Sequence, residues 1–118
     1  MKKRFTQIVM TATAVAAFGL ATAGTASAAS ASCSSSGGTV CTSSSVAANG
    51  NHQVCFGGKH NALASWGRAE LWDGDTGVMV GSIATNGYRW QQACTGGLYG
   101  QNYYLKGTGG FFYGEVWN

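Results

Sequence analysis

The sequence predicts an all-β fold, a small antiparallel β-sandwich of about six to seven strands stapled by disulfides. Three observations carry this. Short runs rich in β-branched and aromatic residues alternate with Asp-Gly, Thr-Gly, Asn-Gly and Gly-Gly turn signals, most clearly between Arg68 and Lys106. No window beyond residue 28 carries the periodicity of a long amphipathic helix. Cys33, Cys41, Cys55 and Cys94 all lie past that point as well, in a chain small enough to need covalent support for a modest core.

Residues 1–28 read as a secretory signal peptide. Met1-Lys2-Lys3-Arg4 is a basic start, residues 8–20 are apolar with small polar interruptions, and Ala26-Ser27-Ala28 supplies the small residues of a cleavage site. The apolar stretch is too short and too rich in Thr and Ala for a membrane anchor. The protein is therefore expected to be secreted, with its cysteines delivered to an oxidising compartment. Removing the signal also removes Lys2, Lys3 and Arg4. Lys59, Arg68, Arg89 and Lys106 then balance Glu70, Asp73, Asp75 and Glu115, so the formal charge of +3 is a property of the targeting segment. A neutral, charge-poor domain does not build the phosphate-neutralising surface of a nucleic-acid binder, nor a cationic membrane-lytic face. Neither nucleic acid nor, after signal removal, a membrane is an expected partner.

Residues 29–50 are dominated by Ser, Gly, Ala and Thr and read as an N-terminal arm, with the sandwich domain over 51–118. Cys33 and Cys41 argue for local order in the arm, as a clip or as an edge strand held by its disulfide. Four cysteines allow three pairings. The preferred one joins Cys33 to Cys41 locally and Cys55 to Cys94 between distant strands. No Cys-x-x-Cys pair exists and neither His is spaced to complete a tetrahedral site, so no metal or other cofactor is expected.

Residues 52–56 read as the first strand of the domain, ended by Gly57-Gly58, and residues 59–65 as a polar connection. Residues 66–72 form the next strand. Its alternation puts Ala69 and Leu71 on one face and Arg68, Glu70 and Trp72 on the other. Asp73-Gly74-Asp75-Thr76-Gly77 is a hairpin turn leading to a return strand over 78–83. After Asn86-Gly87, residues 88–94 form a strand with Tyr88 and Trp90 on one face. Residues 102–106 and 111–117 close the fold across Gly107-Thr108-Gly109-Gly110.

Chemistry is sparsely represented. His52 and His60 read as solvated surface histidines, because a catalytic His needs a carboxylate and a nucleophile beside it, and the serines lie in the arm without a Gly-x-Ser-x-Gly elbow. Asp73 and Asp75 lack the further ligands of a calcium loop and read as turn formers. Glu70 and Glu115 are the only glutamates, and nothing in the sequence surrounds either with the apolar cleft an acid/base pair needs. No enzymatic activity is expected.

The order of Ala69-Glu70-Leu71-Trp72-Asp73, Asp75-Thr76-Gly77, Thr85-Asn86-Gly87-Tyr88, and Gly100 followed by Tyr103-Tyr104-Leu105-Lys106 resembles the prealbumin-like sandwich. That group includes transthyretin-like, Cna-B-type and carboxypeptidase regulatory-like domains. The resemblance implies a two-layer β-sandwich. It does not carry over the hydrolase chemistry of the hydroxyisourate branch, because the Tyr-Arg-Gly-Ser tail is replaced by Gly114-Glu115-Val116-Trp117-Asn118. Nor does it carry over an isopeptide cross-link, because Lys59 and Asn118 are not where that bond needs them.

The aromatic excess is the most informative feature. Trp66, Trp72, Tyr88, Trp90, Tyr99, Tyr103, Tyr104, Phe111, Phe112, Tyr113 and Trp117 exceed what a small sandwich can bury. The remainder predicts a platform for an extracellular glycan or protein, since exposed Trp and Tyr offer large contact area at low entropy cost. Trp72 and Trp90, with Arg68 and Arg89 beside them, are the expected binding residues. The alternative expectation is a small inhibitor of an extracellular hydrolase or protease, presenting residues 59–65 as a rigid loop.

Overall fold

The computed structural model describes residues 29–118; the expected signal peptide lies outside the described residues. Every regular element among them is a strand: β1 (Ser30–Ser34), β2 (Cys41–Thr42), β3 (Val54–His60), β4 (Trp66–Asp73), β5 (Val78–Asn86), β6 (Gln91–Thr95), β7 (Tyr103–Thr108) and β8 (Phe112–Trp117). They form two four-stranded sheets, ordered β1-β8-β3-β6 (sheet A) and β2-β7-β4-β5 (sheet B). All pairings are antiparallel. The fold is the expected all-β sandwich with two disulfides, and it has eight strands rather than six or seven.

The extra strands come from residues 29–50, which are not a tether. β1 lies along β8, and β2 along β7, so the Ser-rich segment supplies the outer strand of each sheet. Further along, Val46 is buried and bridges Tyr103. The buried Ser43 donates its amide to the Leu105 carbonyl and accepts from the Leu105 amide on its hydroxyl. Cys33 pairs with Cys41 and Cys55 with Cys94. The first bridge joins the edge strands β1 and β2 and so ties one sheet to the other. The second links directly opposed residues of neighbouring strands, with Cα atoms 3.9 Å apart.

Strand alternation builds the core. Val54 and Phe56 (β3), Ala69 and Leu71 (β4), Tyr103 and Leu105 (β7), and Phe112 and Val116 (β8) are buried between the sheets. Asp73 behaves as the turn former expected of it: its Oδ1 accepts from the Asp75 and Thr76 amides, and its carbonyl accepts from Gly77, whose φ is +73°. Gly57 and Gly58 do not end the first strand as expected. They lie inside β3, which runs on through Lys59 to His60.

The reading of the histidines as solvated holds for the exposed His52 and fails for His60. It is fully buried, with Nδ1 at 2.7 Å from the Gly110 carbonyl and Nε2 at 2.7 Å from Thr85 Oγ1. A carbonyl only accepts, so Nδ1 carries a proton and donates to it, and Nε2 pairs with the Thr85 hydroxyl. The ring meets Phe112 edge-on and links β3 of sheet A to β5 of sheet B. Leucine at this position leaves the Gly110 carbonyl and the buried Thr85 hydroxyl without partners. The expected result for His60→Leu is a loss of about 3 kcal/mol in unfolding free energy, measured by urea denaturation. A midpoint equal to wild type would rule out this role.

Candidate functional site

The two faces of the sandwich carry different surfaces, and the expected binding residues divide between them. On the outside of sheet B, Trp72 is half-buried rather than freely exposed. Its indole N–H donates to Glu70 Oε1 at 3.0 Å, and the Lys106 ammonium lies 5.3 Å from its ring centroid. Arg68 on the same face donates to Ser82 Oγ. The Trp72 side chain is thus already occupied by its neighbours, with both ring and N–H engaged. The strand expected over 88–94 runs instead from Gln91 to Thr95, so Tyr88, Arg89 and Trp90 lie in the β5–β6 connection, Arg89 exposed and the Trp90 indole laid on the outer face of the opposite sheet. Trp72, Arg68, Trp90 and Arg89 do not form one site.

Trp90 does sit in a cleft. The outer face of sheet A holds a shallow depression of about 770 Å³ lined by Tyr88, Trp90, Tyr113 and Trp117, with Ser30, Lys59, Gln92 and Glu115 among them. A smaller depression of about 310 Å³ continues past Trp117 to Ala29 and Asn118. Sheet order explains the gathering. β3 runs between β8 and β6, so outward residues of β8 (Tyr113, Glu115, Trp117) and of the β6 side (Trp90, Gln92) meet across β3. At the centre of β3 stands Gly57, paired with Glu115 on one side and Gln92 on the other. A methyl group built there would lie 2.8 Å from Trp90 Cζ2 and 2.7 Å from the Gln91 carbonyl oxygen. The missing side chain is what lets the indole lie across the sheet.

Hydrogen bonds hold the cleft walls. Trp90 Nε1 donates to Gln92 Oε1 at 2.8 Å, and the Tyr113 hydroxyl donates to Glu115 Oε2 at 2.6 Å. The Trp90 and Tyr113 rings are 6.4 Å apart at 45°. The hydrogen bond to Glu115 raises the Tyr113 pKa above the ordinary tyrosine value. Desolvation and the Glu115 charge add to the rise, and a Ser32 hydrogen bond opposes it. A raised folded-state value favours the protonated phenol. Its contribution is therefore whole below the ordinary tyrosine pKa and lost only as pH climbs through the raised one. This wall is intact throughout the neutral range.

Sequence reasoning found Trp90 and missed Tyr113, Trp117, Glu115 and Gln92. The available signal was the alternation Phe112-Tyr113-Gly114-Glu115-Val116-Trp117, in which Phe112, Gly114 and Val116 are buried and Tyr113, Glu115 and Trp117 face out. Lys59 was assigned to a loop, whereas the structure sets it in β3 opposite Tyr113. Only residues 61–65 connect β3 to β4, and neither disulfide frames them. Among the described residues, no group of three or more His, Cys, Asp or Glu is placed to hold a metal ion.

No family model matches the chain, and comparison with curated proteins and with solved structures gives no match either.

Proposed function

We propose that the protein is a secreted, non-catalytic binding module that takes an extracellular glycan along the outer face of sheet A. The observation that carries this reading is the Trp90 indole laid over Gly57 beside Tyr113, continued by Trp117. Sugar rings present apolar C–H faces and a rim of hydroxyls. An open aromatic trough with Gln92, Glu115, Lys59 and Ser30 along it offers stacking to the first and hydrogen bonds to the second. The trough is open rather than enclosed, which suits a chain of sugars better than a single small molecule. The two disulfides and the residue 1–28 pattern support a place outside the cell. A prealbumin-like ancestry is compatible with the two-sheet architecture and belongs to the same proposal.

The test is retention of the secreted protein on insoluble cell-wall polysaccharide, chitin and cellulose. Retention on at least one of them is expected, weakened about tenfold by Trp90→Ala and by Trp117→Ala, a loss of about 1.4 kcal/mol each. Trp72→Ala is expected to bind like wild type. If Trp72→Ala abolishes retention while Trp90→Ala does not, the site lies on sheet B. If no polysaccharide retains the protein and a hydrolase is captured instead, the inhibitor reading replaces this one.

A further inference from the structure

One end of the sandwich carries a second surface that the cleft does not explain. The strand registers place the β1–β2, β3–β4, β5–β6 and β7–β8 connections together at this end. Among the described residues nine large hydrophobic side chains are exposed, and besides Trp90, which turns onto the cleft, five of them are here: Val40 (53%), Leu63 (74%), Trp66 (74%), Tyr88 (61%) and Phe111 (45%). They stand on separate connections or at a strand start, and of the five only Tyr88 also lines the cleft.

Three further observations give this end a chemical character. The first is charge. Of the four cations in the described chain, Arg89 lies in one of these connections, and Lys59 and Arg68 lie within the nearest residues of β3 and β4. Glu115 and Glu70 lie further into the sheets, two residues beyond the levels of Lys59 and Arg68, which leaves Arg89 as the cation nearest the tip. Asp73 and Asp75 sit in the hairpin at the far end of β4, about 25 Å away at strand rise. Arg89 at one end and Asp73 and Asp75 at the other thus give a domain without net charge a charge difference between its two ends.

The second is backbone satisfaction. The connections bond one another: Phe111 N donates to Gly37 O, Asn61 N to Phe111 O, Gly87 N to Ser65 O, and His60 N to Gly87 O. Backbone groups paired in this way can enter a medium of low polarity without leaving donors unsatisfied.

The third is Phe111 itself. It holds φ at +54°, a conformation that costs a bulky residue energy and that glycine adopts freely. Gly109 and Gly110 precede it, yet this position keeps an aromatic ring that faces solvent.

We infer that this end docks on an anionic lipid bilayer, with Leu63, Trp66 and Phe111 entering the interface and Arg89 meeting lipid phosphates. Trp and Phe favour the interfacial zone, and binding strength follows buried apolar area together with attraction between cations and anionic headgroups. A protein partner would need a continuous complementary surface, whereas separate tips suit a fluid one. The inference departs from the expectation, drawn from net charge, that no membrane is a partner. The residues that the inference puts in contact with lipid, Leu63, Trp66, Arg89 and Phe111, do not line the glycan cleft.

The experiment is cosedimentation with phosphatidylcholine vesicles, with and without phosphatidylglycerol, supported by quenching of tryptophan emission by brominated lipids. The protein is expected to sediment with the anionic vesicles and about tenfold more weakly with the neutral ones. Leu63→Ser/Phe111→Gly should weaken binding to anionic vesicles at least about tenfold, and Arg89→Glu should weaken it by about fivefold. Both changes fall on exposed side chains, so the urea midpoint checks that folding is retained. Trp66→Phe should lose most of the lipid quenching, and Trp72→Phe should keep it. Absence of sedimentation with either vesicle, or equal binding by Leu63→Ser/Phe111→Gly, overturns the inference. So does a wild-type dimer that Leu63→Ser/Phe111→Gly converts to monomer, because the surface would then belong to a second copy.

Discussion

Replacing Cys55 and Cys94 together by alanine is expected to cost about 4 kcal/mol of stability, the largest effect of any covalent change in the molecule. The two residues are 39 apart in sequence, and the loop-closure entropy that the bond removes from the unfolded chain rises with the logarithm of that separation. The same reasoning gives about 2.5 kcal/mol for Cys33–Cys41, which closes a separation of 8. Packing adds little to the first figure, since Cys94 is exposed and Cys55 half-buried, so alanine leaves no interior cavity there. A small domain commonly has roughly 5–15 kcal/mol in total, so the double replacement should leave a protein near the edge of folding at growth temperature.

Position sharpens the prediction. β6 is the edge strand of sheet A and is paired with β3 alone. The bond clamps β6 at Cys55–Cys94, two residues from Gln92, which receives the Trp90 indole hydrogen bond. Loss of the bond should loosen the cleft before it unfolds the sandwich. Denaturant unfolding of the two double-alanine variants measures the first effect, and hydrogen exchange of the β6 amides measures the second. A Cys33/Cys41 variant as unstable as the Cys55/Cys94 variant would show that tying the sheets together matters more than loop length.

The fold class was legible because period-two alternation and turn chemistry are local. Ala69 and Leu71 against Arg68, Glu70 and Trp72 sort as expected, and Asp73, Gly77 and Gly87 turn the chain where their side chains or positive φ angles allow it. The cleft was not legible, for a topological reason. Alternation says that Trp72 and Trp90 each face out of a strand. It does not say that Trp72 lies in sheet B while Trp90 precedes β6 of sheet A, nor that β3 lies between β8 and β6. The Ser-rich strands escaped for an energetic reason. β1 and β2 are edge strands that bury few side chains of their own, so their order comes from backbone pairing and the Cys33–Cys41 bond, neither of which leaves a hydrophobic pattern. Glycine was ambiguous in kind. Gly57, Gly58 and Gly107 were read as punctuation, yet each lies inside a strand.

That last ambiguity sets the second large prediction, for Gly107→Ala. Phe112 is fully buried, and its ring occupies a slot bounded by glycines from three strands and both sheets. A methyl group on Gly107 would lie 2.1 Å from Phe112 Cε2, one on Gly58 2.5 Å from Cζ, and one on Gly114 2.6 Å from Cε2. The ring cannot retreat from one without meeting another, and His60 packs against it edge-on. Overpacking of an interior normally costs about 1–3 kcal/mol, and a rigid aromatic held on three sides places this case at the top of that range, about 3 kcal/mol. The contrast is Gly96→Ala, where nothing lies within 4 Å and no positive φ is required; its stability should stay within about 0.5 kcal/mol of wild type. A second substitution separates overpacking from any intrinsic dislike of alanine in β7. Phe112→Leu alone removes ring volume and should destabilise, yet combined with Gly107→Ala it makes room for the new methyl. The double variant should then be more stable than the sum of the two single losses predicts, by about 1 kcal/mol or more. Additive losses in that cycle would mean that the glycine serves the backbone of β7 and not the ring of Phe112.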